Sequence, residues 1–221
     1  MRQPVNGWRH QDTALRQDAA YRSLIDQMRV GQPRQDLLVA AEAVRRTRLP
    51  DPLILEVGCG SGYYSEILSH LLGRQVRYVG LDLSQAMTRL ALDRYPDRPF
   101  VIGDATSLPF ADSSFDIVLN GVSLMHTLRY EAAISESRRI TRAWCIFHTV
   151  PVLHRRATAI LRKEAYGEAT SEIIFNEVEL HHCLRRAGLI VRHALDSIPY
   201  DLNAVLGEPT VTKSYICEVT D

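Results

Sequence analysis

Short apolar runs alternate with amphipathic stretches from residue 51 to residue 150. Each run is rich in Val, Ile, Leu or Phe, which is typical of parallel strands buried on both faces. The stretches between them repeat apolar residues every three or four positions, a spacing that predicts helices. The predicted strands are 53–57, 76–81, 100–102, 114–120 and 144–149, and Pro151 is expected to end the last. This alternation predicts an α/β fold with a doubly wound sheet, in which ligands bind beyond the carboxyl ends of the strands.

The rest of the chain completes one predicted domain of 221 residues. Its four parts are an N-terminal helical cap (1–50), a core of alternating strands and helices (51–150), an insertion (151–176) and a C-terminal part (177–221). Gly31-Gln32-Pro33 divides the cap into two helices. The insertion contains a predicted helix at 157–165. In the C-terminal part, the sequence predicts a helix followed by strands at 189–195 and 213–219.

Three alternating glycines follow the first strand, in the sequence Glu56-Val57-Gly58-Cys59-Gly60-Ser61-Gly62. Glycine lets the chain turn sharply and lets a ligand touch the main chain where a Cβ would stand. The helix that follows would direct its first N–H groups at the ligand. The dinucleotide fingerprint Gly-x-Gly-x-x-Gly requires glycine at position 63, where this chain has Tyr63. The pattern here is instead Glu-x-Gly-x-Gly-x-Gly.

Acidic residues also follow the next two predicted strands. Asp82 comes directly after the run at 76–81, where a carboxylate could accept both hydroxyls of a ribose. Asp104 follows the third strand in the turn Gly103-Asp104-Ala105. Because the carboxyl ends of parallel strands meet at one edge of the sheet, we expect both acids to lie near the glycine turn.

These motifs, in this order, resemble the class I S-adenosylmethionine-dependent methyltransferases. The glycine turn is similar to motif I of that family, and residues 114–120 are similar to its motif IV strand. The resemblance implies a Rossmann-like seven-stranded sheet, mostly parallel with the last strand antiparallel. It also implies S-adenosyl-L-methionine as cofactor and S-adenosyl-L-homocysteine as product. By this resemblance residues 51–150 are the cofactor-binding core and residues 151–176 are a substrate-cover insertion. The implied cofactor-binding residues are Glu56, Gly58, Cys59, Gly60, Gly62, Asp82, Leu83, Asp104 and Ala105.

Two histidines are candidates for a general base. His126 follows the fourth strand, where the family would present the methyl group, and its usual pKa of about 6.5 suits proton removal near neutral pH. His148 lies near the end of the fifth strand. The alternative for each is a structural histidine. Candidate substrate-binding residues are Tyr21, Glu172, Asn176 and Tyr200, and candidates for a lid over the cleft are Trp8, Gln17 and Tyr21, with simple surface packing as the alternative.

Charge and cysteine usage narrow the classes of function. Lys plus Arg and Asp plus Glu each number 26, so the overall charge does not favour nucleic acid or an anionic membrane as partner. No run approaches the roughly 18 apolar residues of a membrane span, and the N-terminus lacks the apolar core of a signal peptide, so we expect a cytoplasmic protein. The four cysteines are far apart and no metal-ligand spacing occurs, which predicts free thiols and no metal site.

We therefore predict an enzyme that methylates an O or N atom of a small molecule. The loop Asn120-Gly121-Val122-Ser123 differs from the Asn-Pro-Pro-Tyr motif of adenine N-methyltransferases, and no Pro-Cys dipeptide offers the thiol used in cytosine C5 methylation. The alternatives are a catalytically inactive cofactor-binding partner protein and an RNA or protein methyltransferase. Tyr63 and Asp104 disfavour a further rival, a nicotinamide-dependent oxidoreductase. The acceptor and the oligomeric state stay open at this point.

Overall fold

A computed structural model describes residues 11–220, so Trp8 lies outside the described residues. Helices and strands alternate in it as the sequence predicts. In chain order they are α1 (Gln11–Arg29), α2 (Gln35–Arg46), β1 (Leu53–Val57), α3 (Tyr63–Leu72), β2 (Arg77–Asp82), α4 (Gln85–Arg94), β3 (Phe100–Ile102), β4 (Phe115–Gly121), α5 (Tyr130–Ile140), β5 (Thr141–Leu153), β6 (Ala159–Ala165), β7 (Glu168–Asn176), α6 (Glu177–Arg186), β8 (Leu189–Pro199), α7 (Asn203–Leu206) and β9 (Val211–Val219). A 3₁₀ turn, Leu124–His126, lies between β4 and α5.

Seven of the strands form the predicted Rossmann-like sheet, in the order β3-β2-β1-β4-β5-β9-β8. β1 pairs in parallel with β2 and with β4, and β4 pairs in parallel with β5. β9 returns antiparallel to β5, which confirms the antiparallel last strand. The sheet nevertheless contains nine strands rather than seven, because the insertion adds β6 and β7.

The prediction of a helix at residues 157–165 is wrong, because this segment contains the first strand of a hairpin. β6 and β7 pair antiparallel, with Ala159 opposite Ile174. Tyr166 and Gly167 join them with φ values of 53° and 79°, as a tight hairpin turn requires. Burial along β6 alternates from residue to residue, which is the period of a strand.

β5 continues through Pro151. The prediction that Pro151 ends this strand is therefore wrong. On one edge β5 pairs with β9. On the other edge, pairing with β4 ends at His148 and pairing with β7 begins at Val152. Pro151 has no N–H to donate, and it lies between these two partners. β7 therefore continues along the edge of β5 beyond the carboxyl end of β4, at the end of the sheet where ligands bind.

Helices cover both faces of the sheet. Alternate strand residues point to opposite faces, so each strand contributes to two apolar clusters. Ile54, Ile117 and Ile146 belong to the cluster formed with α1, α2 and α3. Leu55, Val118 and Phe147 belong to the cluster formed with α5 and α6. The strand ends that carry the predicted motifs are therefore held by packing on both sides.

Candidate active site

A cavity of about 540 Å³ lies at the carboxyl ends of β1, β2 and β4. Part of its wall comes from the loops that follow these strands and β3. The rest comes from α1, from the β6–β7 hairpin and from the loop after β8. The residues that line the cavity include Gln17, Tyr21, Gly58, Gly60, Tyr63, Asp82, Leu83, Asp104, Ala105, Gly121, Met125, His126, Leu128, Lys163, Ala165, Tyr166, Ser171, Glu172 and Tyr200.

The glycine turn contributes main chain to this wall. Gly58 and Gly60 line the cavity, whereas Gly62 does not. Gly60 has a φ of 54°, and a Cβ there would lie 3.6 Å from Gln17 Oε1, in space that a ligand would otherwise use. At Gly62 a Cβ would lie 2.6 Å from the Phe100 ring. Gly62 therefore serves the packing of α3 on the sheet rather than contact with a ligand.

Asp82 links the glycine turn to the start of α4. Its Oδ2 accepts the Gly60 N–H at 2.8 Å, and its Oδ1 accepts the Ser84 N–H at 2.8 Å. Burial raises the pKa of Asp82, although the hydrogen bonds from the backbone oppose this. A carboxylate offers about four acceptor sites, so Asp82 can also accept hydroxyls of a ligand in the cavity.

Glu56 and Cys59 lie behind the turn and are fully buried. Glu56 Oε2 accepts the Tyr78 hydroxyl at 2.5 Å. Its Oε1 lies against the cavity residue Gly121 and has no hydrogen-bond partner among the described residues. Burial raises the pKa of Glu56 to about 8. A buried polar atom without a partner is costly, so Glu56 can bind a proton or a nearby ligand cation. The side chain of Cys59 packs in the core.

The residues after β2 and β3 line the cavity beside Asp82. Asp104 is exposed, and its Oδ1 accepts the N–H and the hydroxyl of Thr106 at 2.8 Å each. These bonds hold the turn that contains Ala105. Leu83 is 37% exposed and offers an apolar surface that a flat ring can cover.

α1 packs over the glycine turn. Its Tyr21 stacks on Tyr63 with ring centroids 3.7 Å apart, and both rings line the cavity together with Gln17. Asp18 of the same helix is 1% exposed and accepts a hydrogen bond from Arg94 of α4 at 2.7 Å. This ion pair fixes α1 beside the turn.

His126 lies in the 3₁₀ turn after β4. Its Nδ1 is 3.0 Å from the carbonyl oxygen of Ser171 on β7. Because a carbonyl oxygen only accepts, Nδ1 carries the hydrogen and Nε2 carries the lone pair. Burial lowers the pKa of His126 below its usual value, so the imidazole is neutral at pH 7. Such a group can take a proton from a ligand in the cavity.

Among the candidate catalytic and substrate-binding residues, His148 and Asn176 do not line the cavity. His148 is 1% exposed, with Nδ1 2.7 Å from Ser214 Oγ and Nε2 3.0 Å from Thr149 Oγ. Burial lowers its pKa to about 4. Asn176 is the N-cap of α6, where its Oδ1 accepts the N–H of Val178 at 3.0 Å. Both side chains have structural partners, and neither reaches the site.

Glu172 and Tyr200 do line the cavity, together with Lys163, which the sequence analysis missed. The Tyr200 hydroxyl donates to Glu172 Oε1 at 2.5 Å, and Lys163 Nζ lies 2.8 Å from Glu172 Oε2. Lys163 also hydrogen-bonds the Tyr200 hydroxyl. One signal in the sequence could have drawn attention to it, because Lys163 and Lys213 are the only lysines of the chain.

Neither a metal centre nor a membrane span is found within residues 11–220. In this range no group of three or more His, Cys, Asp and Glu side chains is placed to hold a metal ion. Across the same described residues, no helix has the length and apolar character needed to cross a membrane. All four cysteines are free thiols.

Two known families match the sequence. Residues 55–147 match the family described as Methyltransferase domain, a range that contains the glycine turn, Asp82 and Asp104. Residues 11–98 match the family of Protein-L-isoaspartate(D-aspartate) O-methyltransferase. These matches support a class I S-adenosylmethionine-dependent methyltransferase. The antiparallel last strand and the cavity beyond the carboxyl ends of the strands agree with what the sequence predicts.

Curated relatives are similar to this chain over part of its length. Demethylmenaquinone methyltransferase of Renibacterium salmoninarum is 36% identical over 117 residues, which cover 53% of this chain and 47% of the relative. Phthiotriol/phenolphthiotriol dimycocerosates methyltransferase of Mycobacterium tuberculosis is 48% identical over 69 residues, which cover 30% of this chain and 25% of the relative. The chain thus spans about half of the first relative and a quarter of the second.

The fold also resembles solved methyltransferase structures. Magnesium protoporphyrin IX methyltransferase from Synechocystis PCC 6803, solved with bound S-adenosylmethionine, has a TM-score of 0.59 and 18% sequence identity. The match covers 88% of this chain and 83% of the other. At this level of identity the likeness shows a shared fold.

The cavity suits S-adenosylmethionine on three observations. Gly60 leaves main chain open to a ligand where a side chain would stand. Asp82 presents a carboxylate with unused acceptor sites to the same cavity. Behind the turn, no residue within 11–220 hydrogen-bonds the buried Oε1 of Glu56.

Proposed function

We propose that the protein transfers a methyl group from S-adenosylmethionine to an O or N atom of a small molecule. One observation carries this proposal: a single cavity is lined by the glycine turn and Asp82, and also by His126 and the β6–β7 hairpin. A cofactor on the turn and an acceptor beside His126 would share that volume. The two relatives described above are named as methyltransferases of small molecules, which supports a substrate of this class.

The cofactor residues have separate roles in this proposal. S-adenosylmethionine supplies an electrophilic methyl group, and the electron pair of the C–S bond stays on sulfur when an acceptor lone pair attacks. Gly60 brings main chain to the amino-acid part, and Glu56 balances its positive charge from behind the turn. Asp82 accepts the ribose hydroxyls. Leu83 and the turn at Asp104 and Ala105 border the adenine.

The acceptor residues orient the second reactant. His126 Nε2 takes the proton from the acceptor, while the bond from Nδ1 to the Ser171 carbonyl fixes the ring. Tyr21, Glu172 and Tyr200 line the cavity and are the residues proposed to contact the acceptor. Residues 151–176, whose hairpin forms part of the cavity wall, are proposed to cover it. Correct alignment of two bound reactants supplies on the order of 7 to 11 kcal/mol, so few catalytic side chains are required.

A labelled-methyl assay tests this function. The purified protein is incubated with methyl-tritiated S-adenosylmethionine and separate panels of phenols, quinols and amines. We expect label in a small-molecule product and an equal amount of S-adenosylhomocysteine. Label that enters only RNA or protein from a cell extract would favour a macromolecular acceptor. Cofactor binding without any transfer would favour the inactive partner protein.

A further inference from the structure

Lys163 places a cation beside the space proposed for the acceptor. Its Nζ lies 2.8 Å from Glu172 Oε2 and hydrogen-bonds the Tyr200 hydroxyl. An ammonium group has three N–H donors, so these contacts leave one donor for a ligand. The Lys163 side chain is 37% exposed and that of Glu172 is 3% exposed. The positive member of the pair is therefore the more accessible of the two to a ligand in the cavity.

The charges near the acceptor are fixed at neutral pH. Burial favours the neutral amine of Lys163, but the hydrogen bonds to Glu172 and Tyr200 outweigh burial and raise its pKa. Burial lowers the pKa of His126, so this imidazole is neutral. The other charged side chains that line the cavity are Glu164, Arg129, Asp82 and Asp104. A permanent cation and a neutral base therefore share the acceptor part of the cavity.

This combination favours a hydroxyl acceptor over an amine. A hydroxyl becomes an anion when His126 Nε2 takes its proton, and the Lys163 ammonium stabilises that anion. The electron pair left on oxygen forms the new C–O bond, and the pair of the broken C–S bond stays on sulfur. An amine instead gains positive charge as its bond forms, which a nearby cation opposes.

We propose that Lys163 makes the enzyme selective for acceptors with an acidic hydroxyl, a phenol or an enol, by stabilising their oxyanion; this selectivity rests on the proposed methyl transfer. Glu172 and Tyr200 hold the ammonium in position. The apolar side chains of Met125, Leu128 and Ala165 also line the cavity and can cover an aromatic ring.

Lys213 provides a matched control within the same chain. Its Nζ donates to Glu177 Oε1 at 2.8 Å, and the Tyr215 hydroxyl donates to the same oxygen at 2.8 Å. The chain thus contains two Lys–Glu–Tyr groups, and only the group with Lys163 lines the cavity. Lys163→Met and Lys213→Met remove the same charge from similar surroundings.

The test measures the ionisation of a bound phenol by absorbance. 4-Nitrophenol is titrated with pH in the presence of each protein saturated with S-adenosylhomocysteine, because the phenolate absorbs visible light and no turnover is required. 4-Nitroaniline, of similar shape, reports on a neutral amine. Calorimetry with S-adenosylhomocysteine shows whether each variant keeps its cofactor site. Lys163→Arg keeps the charge and serves as a second variant.

We expect the wild type, Lys163→Arg and Lys213→Met to lower the apparent pKa of bound 4-nitrophenol below that of the free dye. In Lys163→Met this decrease is lost, and the phenolate binds roughly tenfold or more weakly, the scale of one charge-assisted hydrogen bond. Affinity for 4-nitroaniline and for S-adenosylhomocysteine stays unchanged in Lys163→Met.

Two results would overturn the role of Lys163 while the proposed function stands. In the first, the wild type binds S-adenosylhomocysteine but does not bind the phenolate. In the second, Lys163→Met binds the phenolate as tightly as Lys213→Met does. A wild type that does not bind S-adenosylhomocysteine would contradict the proposed function itself, and the selectivity of Lys163 falls with it.

Discussion

Asp82 supports the glycine turn with the same carboxylate that faces the cavity. In Asp82→Ala the N–H groups of Gly60 and Ser84 lose their acceptor, and the ribose loses its proposed partner. We expect affinity for S-adenosylhomocysteine to fall roughly tenfold to a hundredfold, the scale of one or two lost hydrogen bonds to a charged group. Isothermal titration calorimetry measures this loss.

Asp116 offers a matched control for that variant. Its Oδ2 accepts the Leu53 N–H at 2.8 Å, so this carboxylate also supports backbone, but at the amino end of β1. Asp116→Ala should lower the melting temperature and leave cofactor affinity unchanged. Equal affinities of Asp82→Ala and wild type would refute the ribose assignment.

His126 determines how the proposed rate depends on pH. Burial lowers the pKa of His126 below the usual 6.5. The positive charge of Lys163 also lowers this pKa, whereas the negative charge of Glu172 raises it. The lone pair on Nε2 is lost only when pH falls through that lowered value. We expect turnover to be constant near pH 7 and to decrease only at a pH below the usual imidazole value of about 6.5.

In His126→Ala we expect turnover to fall on the order of a hundredfold, the lower end of the range for general-base catalysis, with cofactor affinity unchanged. Steady-state rates between pH 5 and pH 8 and calorimetry provide the two measurements. A variant with the wild-type rate and the wild-type pH profile would remove His126 as the base.

The sequence indicates a site residue when the residues that define its role lie close together in the chain. The glycine turn and Asp82 are recognisable because a strand, a turn and a helix follow one another there. The state of His126 depends instead on Ser171, 45 residues away, and that of Lys163 on Tyr200, 37 residues away. No local pattern specifies which of these distant residues meet.

At the scale of elements, α1 and the β6–β7 hairpin meet over the cavity. Arg16 Nη1 donates to the Tyr166 carbonyl at 2.7 Å, and it lies so close to Gly167 that a Cβ there would collide with it. In Arg16→Ala we expect faster hydrogen exchange in β6 and β7 and unchanged exchange in β1 and β4. Hydrogen-exchange mass spectrometry resolves these segments.

Arg45 supplies the control for this contact. It also donates to a carbonyl oxygen, that of Leu71 at 2.6 Å, but it joins α2 to the end of α3 away from the hairpin. Arg45→Ala should leave exchange in the hairpin unchanged. Equal exchange of the hairpin in Arg16→Ala and wild type would show that this contact does not hold it.

The same hairpin shows why one element was assigned incorrectly from the sequence. Ala157, Ile160, Leu161 and Ala165 fall at helical spacing, whereas the hairpin is specified by the Tyr166-Gly167 turn and by pairing with β7. The helices around Gly31 and Gly73 were predictable because long amphipathic stretches end there at glycines with positive φ. When a short segment fits both the helical and the strand periodicity, its tertiary contacts determine which of the two structures it forms.

At the scale of the whole molecule, His148 makes the fold sensitive to acid. Its pKa is about 4 in the folded protein because it is buried, against the usual 6.5. As pH falls, His148 is therefore protonated in the unfolded chain before it is protonated in the folded protein. The free energy of unfolding decreases as a result between pH 6.5 and pH 4. This one group should account for roughly 2 to 3 kcal/mol of that loss.

Urea unfolding at pH 7 and pH 4.5 measures this loss. In His148→Gln the decrease in unfolding free energy between the two pH values should be smaller than in wild type. His182 is exposed, and His182→Gln should show the wild-type decrease. Identical decreases in all three proteins would exclude His148 as the source.

The proposed function requires that the cavity of this fold binds the methyl donor and its product. Calorimetric titration of the wild-type protein with S-adenosylmethionine, S-adenosylhomocysteine and NADH, side by side, measures this binding. We expect micromolar binding of the two adenosyl ligands and no binding of NADH. Binding of NADH, or of none of the three, would contradict the assignment of the cavity.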